Sequence, residues 1–330
     1  MKKLNVFLTR TIPDEGIKML KKNKDIKLSI YEEDKKIPRS VLKKRVKGAD
    51  VILSILTEKM DAEIMDAAGP QLKMIANYAV GFNNIDLDAA KERGIVVTNA
   101  PNDEISTSVA EHTIALMFAL SKRIVESDKF TRAGKYKSWG PELMLGTDLA
   151  GKTVGIIGTG NIGTGVVTRL HNGFGMNVVY TDLRRNTELE KATGAKYRSL
   201  TLLLKQSDFV SLHVPLLPST RHLISTKELK AMKKTAFLIN TSRGPVVDEK
   251  ALTKALVKNE IGGAALDVFE CEPLIDCDPT DNLELRKLSN VVLTPHTASA
   301  TLETRQVMSR VAAANIIAFA DGKTPPNQIK

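Results

Sequence analysis

Lys152-Thr-Val-Gly-Ile-Ile-Gly-Thr-Gly-Asn-Ile-Gly163 is the stretch that decides the fold. Its apolar run, Val154 to Ile157, has the continuous hydrophobicity of a parallel strand buried on both faces. Gly158, Gly160 and Gly163 then form a Gly-x-Gly-x-x-Gly turn, followed by a helix-compatible run through Arg169. The first glycine admits a tight turn, and the second lets backbone approach a pyrophosphate. The third lets helix pack on strand, with phosphates held at the helix N-terminus. Alone, such a triplet has little specificity. Here a second strand, Met176 to Thr181, ends in Asp182, nineteen residues past Gly163, where a carboxylate can take two ribose hydroxyls. The combination predicts a dinucleotide site in an α/β domain.

The 330 residues suffice for two domains, and 42% hydrophobic with 26% charged residues describes a soluble globular protein. The net charge of +10 invites a nucleic-acid reading. However, the basic residues are dispersed along the chain, and aromatics, at 5%, do not interleave with them as stacking platforms. A basic surface that attracts an anionic cofactor and substrate accounts for the charge, with no nucleic acid and no membrane as partner. Leu4 to Leu8 is too short for a signal-peptide core and reads as a first strand. Cys271 and Cys277 lack metal or redox spacing, so two reduced thiols in a cytoplasmic protein are expected, with no metal.

Residues 1 to about 100 alternate short apolar strands (Leu4–Leu8, Ile26–Ile30, Val51–Ile55, Met74–Ala79, Ile95–Thr98) with amphipathic helices, which predicts an open parallel sheet. A single helical run from about Ser106 to Thr131 follows, with an apolar stripe through Val109, Thr113, Leu116, Met117 and Leu120. After the glycine turn a second alternation places strands at Phe209–Val214, Ala236–Asn240, Ala264–Val268 and Val291–Thr294, and a final helix at Leu302–Ala320. Ligands of open α/β sheets collect at the C-terminal ends of strands. Those ends carry His213-Val-Pro215, Thr241-Ser-Arg243-Gly244, Asp267 through Glu272-Pro273, and Pro295-His296.

With Gly-Thr-Gly-Asn-Ile-Gly (158–163), Leu-His-Val-Pro-Leu (212–216), Asn-Thr-Ser-Arg-Gly-Pro-Val-Val-Asp (240–248), Ala-Leu-Asp-Val-Phe-Glu-Cys-Glu-Pro (265–273), Thr-Pro-His (294–296) and Asn-Tyr-Ala-Val-Gly-Phe-Asn-Asn-Ile-Asp (77–86), the chain resembles the D-isomer-specific 2-hydroxyacid dehydrogenases from end to end. Within the family it is most similar to the glyoxylate and hydroxypyruvate reductase branch. The resemblance implies two Rossmann-like α/β domains: a doubly wound, parallel-sheet NAD-binding domain (102–295) and a discontinuous, flavodoxin-like substrate domain (1–101 and 296–330).

It also implies a catalytic set. Arg243 would bind the substrate carboxylate and carbonyl oxygen through its planar fork. His296 would be general acid for reduction and base for the reverse reaction. Glu272 would hold the other ring nitrogen, fixing the tautomer and favouring the protonated ring. Backbone of Val80 and Gly81 would hold the substrate carboxylate opposite Arg243, with domain closure excluding water. For the cofactor, Asn161 and Ile162 would meet the pyrophosphate and Asp182 the ribose, while Val214 and Pro215 line the crevice. Thr220, Thr241 and Asp267 would lie near the nicotinamide half, Asp267 reaching its carboxamide. Asp182 favours NAD over NADP, with Arg184 and Arg185 able to rescue NADP. Of the remaining histidines, His112, His171 and His222 have no matched role and His213 is read as structural.

Thr297-Ala298 departs from the Ile-Gly often found after the catalytic histidine, and the segment 274–288 is longer and more acidic than in many relatives. Both bear on which small 2-oxo acid is the substrate. Trp139, the only tryptophan, falls in an interface arm of an expected homodimer, where an aromatic of this branch can cap the partner subunit's active site or serve dimer packing alone. The alternatives are phosphoglycerate or phosphite oxidation, or a non-enzymatic NAD-sensing transcriptional co-repressor on the same scaffold. Formate oxidation is disfavoured because its specialists carry glutamine at the Glu272 position.

Overall fold

The computed structural model describes residues 3–272 and 284–329. The chain divides into two compact units, Met1–Ile105 with Ala300–Lys330, and Ser106–Ser299. In the first, strands β1 (Leu4–Leu8), β2 (Ile26–Ile30), β3 (Val51–Ser54), β4 (Met74–Asn77) and β5 (Val96–Thr98) pair in parallel in the order β2-β1-β3-β4-β5, the flavodoxin-like order. Helices α1 (Asp14–Lys22), α2 (Arg39–Arg45), α3 (Ala62–Ala68) and α4 (Leu87–Glu92) alternate with them. β3 and β4 are buried along their whole length, as strands covered on both faces must be. Asp61 and Asp86 start α3 and α4 by accepting the backbone N–H groups of Ile64 and Ala89.

The second unit contains α5 (Asp103–Ser121, begun in the first unit), α6 (Ile124–Arg132), β6 (Thr153–Ile157), α7 (Asn161–Phe174), β7 (Asn177–Thr181), α8 (Thr187–Thr193), β8 (Lys196–Tyr197), α9 (Leu200–Gln206), β9 (Phe209–Leu212), α10 (Thr226–Ala231), β10 (Phe237–Asn240), α11 (Glu249–Val257), β11 (Gly263–Leu266) and β12 (Val291–Leu293). Its seven strands are all parallel, in the order β12-β11-β10-β9-β6-β7-β8, so the order reverses beside β6. The ends coincide: Ile157 pairs with Leu212, Leu212 with Asn240, Asn240 with Leu266 and Leu266 with Leu293. Every motif of the second half therefore leaves the sheet along one edge.

The last helix, α12 (Leu302–Ala320), packs against α1 of the first unit. A Cβ at Gly16 would collide with the Ser309 backbone carbonyl, so the helices meet backbone to backbone. Ser309 Oγ accepts the Gly16 N–H at 2.9 Å and donates to the Pro13 carbonyl at 2.6 Å. The unit boundaries fall a few residues later than 101/102 and 295/296, and His296 lies in the second unit rather than the first, because Asp267 binds the backbone on its C-terminal side.

Two further expectations are corrected. The helical run 106–131 is interrupted at Arg123, which has φ 53°. The carbonyl of Ser121 is taken instead by the Thr147 N–H at 2.8 Å, with Gly146 pressed so close that a Cβ would collide with that carbonyl. Cys271 is disulfide-bonded, not a reduced thiol; Cys277, the chain's only other cysteine, lies outside the described residues. The expectation rested on compartment chemistry alone. Residues 274–283 of the acidic segment also lie outside the described residues. Among those described, no helix is long and apolar enough to cross a membrane, and no cluster of three or more His, Cys, Asp or Glu side chains could hold a metal ion.

Candidate active site

The glycine turn is shaped for a phosphate ester. Gly158 has φ 94°, and a Cβ there would collide with the His213 carbonyl and the Val214 side chain. A Cβ on Gly163 would collide with the Gly158 carbonyl, so helix α7 lies directly on the turn. At Gly160 the space is open, and a Cβ there would meet nothing within 4 Å. Gly160 is also the N-cap of α7 and supplies no side-chain cap, so the first N–H groups, from Asn161 and Ile162 onward, face an open approach. These are the features a pyrophosphate requires, and the turn fits a dinucleotide.

Asp182 stands at the end of β7. Its carboxylate accepts the Thr159 N–H at 2.6 Å, the Thr159 hydroxyl at 2.9 Å and the Leu183 N–H at 2.7 Å. A cleft of about 350 Å³ opens beside it, lined by Thr159, Asp182, Arg184, Arg185, Asn186 and Thr187 among others. Arg185 is committed to Glu190 through bonds of 3.1 and 2.7 Å. After β9, Thr220 donates its hydroxyl to the Pro215 carbonyl at 2.6 Å, closing that turn. Thr241 is buried and pairs with Thr113 at 2.9 Å.

The second unit brings Arg243, Glu272 and His296 together. Glu272 Oε1 accepts the Nδ1–H of His296, and its Oε2 accepts the Phe269 N–H at 3.2 Å. A carboxylate can only accept, so Nδ1 carries the proton and Nε2 is left for a substrate. Arg243 is placed by Asn240, a residue to which the sequence motif alone assigns no role. Asn240 donates to the Arg243 carbonyl at 2.9 Å and accepts the Ser242 N–H and hydroxyl at 3.0 and 2.8 Å. Burial lowers the Arg243 guanidinium from its ordinary value, and the Glu272 charge opposes that shift. A Cβ at Gly244 would collide with the Phe269 carbonyl, so the arginine turn and the glutamate turn touch through backbone.

Asp267 is wholly buried. It accepts the Thr294 hydroxyl at 2.5 Å and the backbone N–H groups of Thr297 and Ala298 at 2.8 Å each. His112 Nε2 lies 3.2 Å from Thr294 Oγ1 and 3.5 Å from the Asp267 carboxylate. Burial alone would raise the Asp267 carboxyl; the bonds from His112, Thr294, Thr297 and Ala298 outweigh it and hold the group below its ordinary value. Asp267 thus anchors the turn on which His296 sits with φ 54°, a region costly for a residue with a side chain. Asp267 Oδ2 accepts only the Ala298 N–H among the described bonds and so keeps a second lone pair. His112, without a role in the sequence motifs, belongs to this network; nothing local to its helix announces a partner at position 267.

In the first unit, Val80 and Gly81 lie just beyond β4. Their carbonyls are held by Asn99 Nδ2 at 2.7 Å and Asn77 Nδ2 at 2.9 Å, and no partner takes their N–H groups among the described residues. Buried Asn84 braces Asn77 at 3.1 Å. The loop therefore presents N–H groups, as an anion site must.

Comparison with known proteins places the chain in a family. Residues 114–298 match the family model for D-isomer specific 2-hydroxyacid dehydrogenase, NAD binding domain. The chain is 48% identical to a glyoxylate reductase of Thermococcus litoralis, covering 99% of this chain and 97% of that protein. It is 46% identical to a glyoxylate reductase of Korarchaeum cryptofilum, covering 99% and 96%. Among solved structures it is similar to the TT0316 protein from Thermus thermophilus, with TM-score 0.90 and 40% identity over 99% of this chain and 100% of that one. It is also similar to D-lactate dehydrogenase from Aquifex aeolicus complexed with NAD and lactic acid, with TM-score 0.84 and 32% identity over 98% and 99%.

Proposed function

The chain belongs to the D-isomer specific 2-hydroxyacid dehydrogenases, and from that premise we propose that it reduces glyoxylate or hydroxypyruvate to the corresponding 2-hydroxy acid, of D configuration where the product is chiral. It is an NAD-dependent oxidoreductase acting on 2-oxo and 2-hydroxy acids. The observation that carries the substrate reading is the His296–Glu272 bond beside a recessed Arg243, an acid and an anion receptor at adjoining strand ends.

NADH, when bound, supplies the hydride to the carbonyl carbon. Arg243 holds the substrate carboxylate and polarises the carbonyl oxygen, and the N–H groups of Val80 and Gly81 are assigned to the carboxylate as well. His296 gives the proton on Nε2 to the carbonyl oxygen while Glu272 keeps the ring in place through Nδ1. In the reverse direction the same nitrogen takes the hydroxyl proton. Val214 and Pro215 wall the cofactor crevice. Asp182 disfavours a 2'-phosphate, and of the two nearby arginines only Arg184 has no partner among the described residues, so NAD is preferred and NADP is used weakly. Dependence on NADH fits a cytoplasmic site of action.

A homodimer is supported by the exposed apolar residues between α6 and β6: Tyr136, Trp139 at 79% exposure, and Leu145 at 64%. Light scattering at micromolar concentration tests it; a monomer would remove it.

The decisive assay is NADH oxidation at neutral pH with glyoxylate, hydroxypyruvate, pyruvate and a bulkier oxo acid, wild type beside His296→Ala. Rapid turnover of glyoxylate or hydroxypyruvate, lost in the variant, is expected. NADH binding with no turnover of any of them would overturn the reading.

A further inference from the structure

His222 lies outside the acid and the anion receptor, yet it touches the segments that carry both. Its backbone N–H donates to the Pro245 carbonyl at 2.8 Å, two residues from Arg243. Its ring Nε2 lies 2.7 Å from the Glu270 carboxylate, two residues from Glu272. The residue adopts φ 50°, so the backbone is turned into the left-handed region to reach both at once. Ile224 N–H continues the junction to the Val246 carbonyl at 3.1 Å.

Glu270 is held on its other side as well. Its N–H donates to Glu249 Oε2 at 2.8 Å, and its own Oε2 accepts the Glu249 N–H at 3.3 Å, at the start of α11. The adjacent Phe269 is the residue whose N–H holds Glu272 and whose carbonyl rests on Gly244. The charged groups about the ring are Glu270, Arg221 on its own turn at 3.8 Å from Glu270, and Asp248 and Glu249 at the head of α11.

We infer that His222 and Glu270 are positioning residues that clip the Arg243 turn to the Glu272 turn, fixing the distance between anion receptor and acid. This rests on the proposed reduction of a 2-oxo acid. Neither residue is assigned to substrate or cofactor; the clip acts on the chemical step through Glu272 and His296. It does not act on the glycine turn that binds NADH.

The test is a double-variant cycle on the full-length protein with NADH and glyoxylate. It compares wild type, His222→Ala, Glu270→Ala, the double variant and His222→Gln, whose amide N–H can still donate to Glu270. The expected result is a roughly tenfold loss of kcat in each alanine variant, no further loss in the double variant, and recovery in His222→Gln, with the NADH dissociation constant unchanged. Melting temperature is followed in parallel. A lowered melting temperature with unchanged kcat, or kcat losses that multiply in the double variant, would overturn the clip while leaving the reductase reading intact. A wild type inert on every 2-oxo acid would overturn that reading and the clip together.

Discussion

Asp267 and Ala298 are joined by a 2.8 Å bond from a backbone N–H to a carboxylate with no solvent exposure, and Thr297 donates to the same carboxylate at the same distance. The turn that aims His296 is therefore held from the inside. In Asp267→Asn one carboxylate oxygen becomes an NH2 donor facing a backbone donor. The expected cost is about 2–3 kcal/mol of stability, read by denaturant unfolding, with kcat lowered at least tenfold.

The same carboxylate predicts an acid dependence. Its folded-state value lies below the ordinary 3.8, so the stability it contributes is complete above that value and is lost as pH falls through the folded one. The melting-temperature advantage of wild type over Asp267→Asn should be constant from pH 7 to about 5 and shrink below about 4.

His213 gives a separate window. Burial pushes it down to about 4 from 6.5, and its Nε2 lies 2.9 Å from the Ser211 hydroxyl. The unfolded chain protonates this ring first on acidification, so folding stability falls as pH drops from 6.5 towards 4. His213→Gln should flatten that part of the melting-temperature profile; an unchanged slope would assign it to other groups.

Glu272→Gln keeps the shape of the side chain and removes its charge. We expect kcat for glyoxylate reduction to fall by about 10- to 100-fold while the NADH dissociation constant, measured by fluorescence, stays within a factor of about two.

Two glycines of one turn should respond differently. Gly163→Ala puts a Cβ into the Gly158 carbonyl and should cost about 1–3 kcal/mol of stability. Gly160→Ala meets no protein atom within 4 Å and has φ −68°, so melting should be unchanged while NADH affinity drops because the methyl occupies the phosphate approach.

What the sequence revealed was what is local. Val154 to Gly163 announces strand, turn and helix within a dozen residues, and Leu302–Ala320 is a helix at the bounds its pattern gives. Arg243, Glu272 and His296 could be nominated from the sequence because each follows the end of an apolar strand. What stayed hidden depends on residues far apart in the chain. The break at Arg123 is set by Gly146 and Thr147, His112 finds its place only against Asp267, and His222 only against Glu270. No periodicity or spacing encodes those meetings.

The backbone contact between Gly16 and Ser309 sets an order of assembly. A ribosome delivers the strands of the first unit at the outset, yet α12, which packs on α1, emerges only after residue 301. The cofactor-binding unit, contiguous from Ser106 to Ser299, can close its sheet while the N-terminal sheet still waits for its last helix. The part of the enzyme made first is thus finished last, and a chaperone that shields the incomplete face of α1 during synthesis would act on this unit and not on the other.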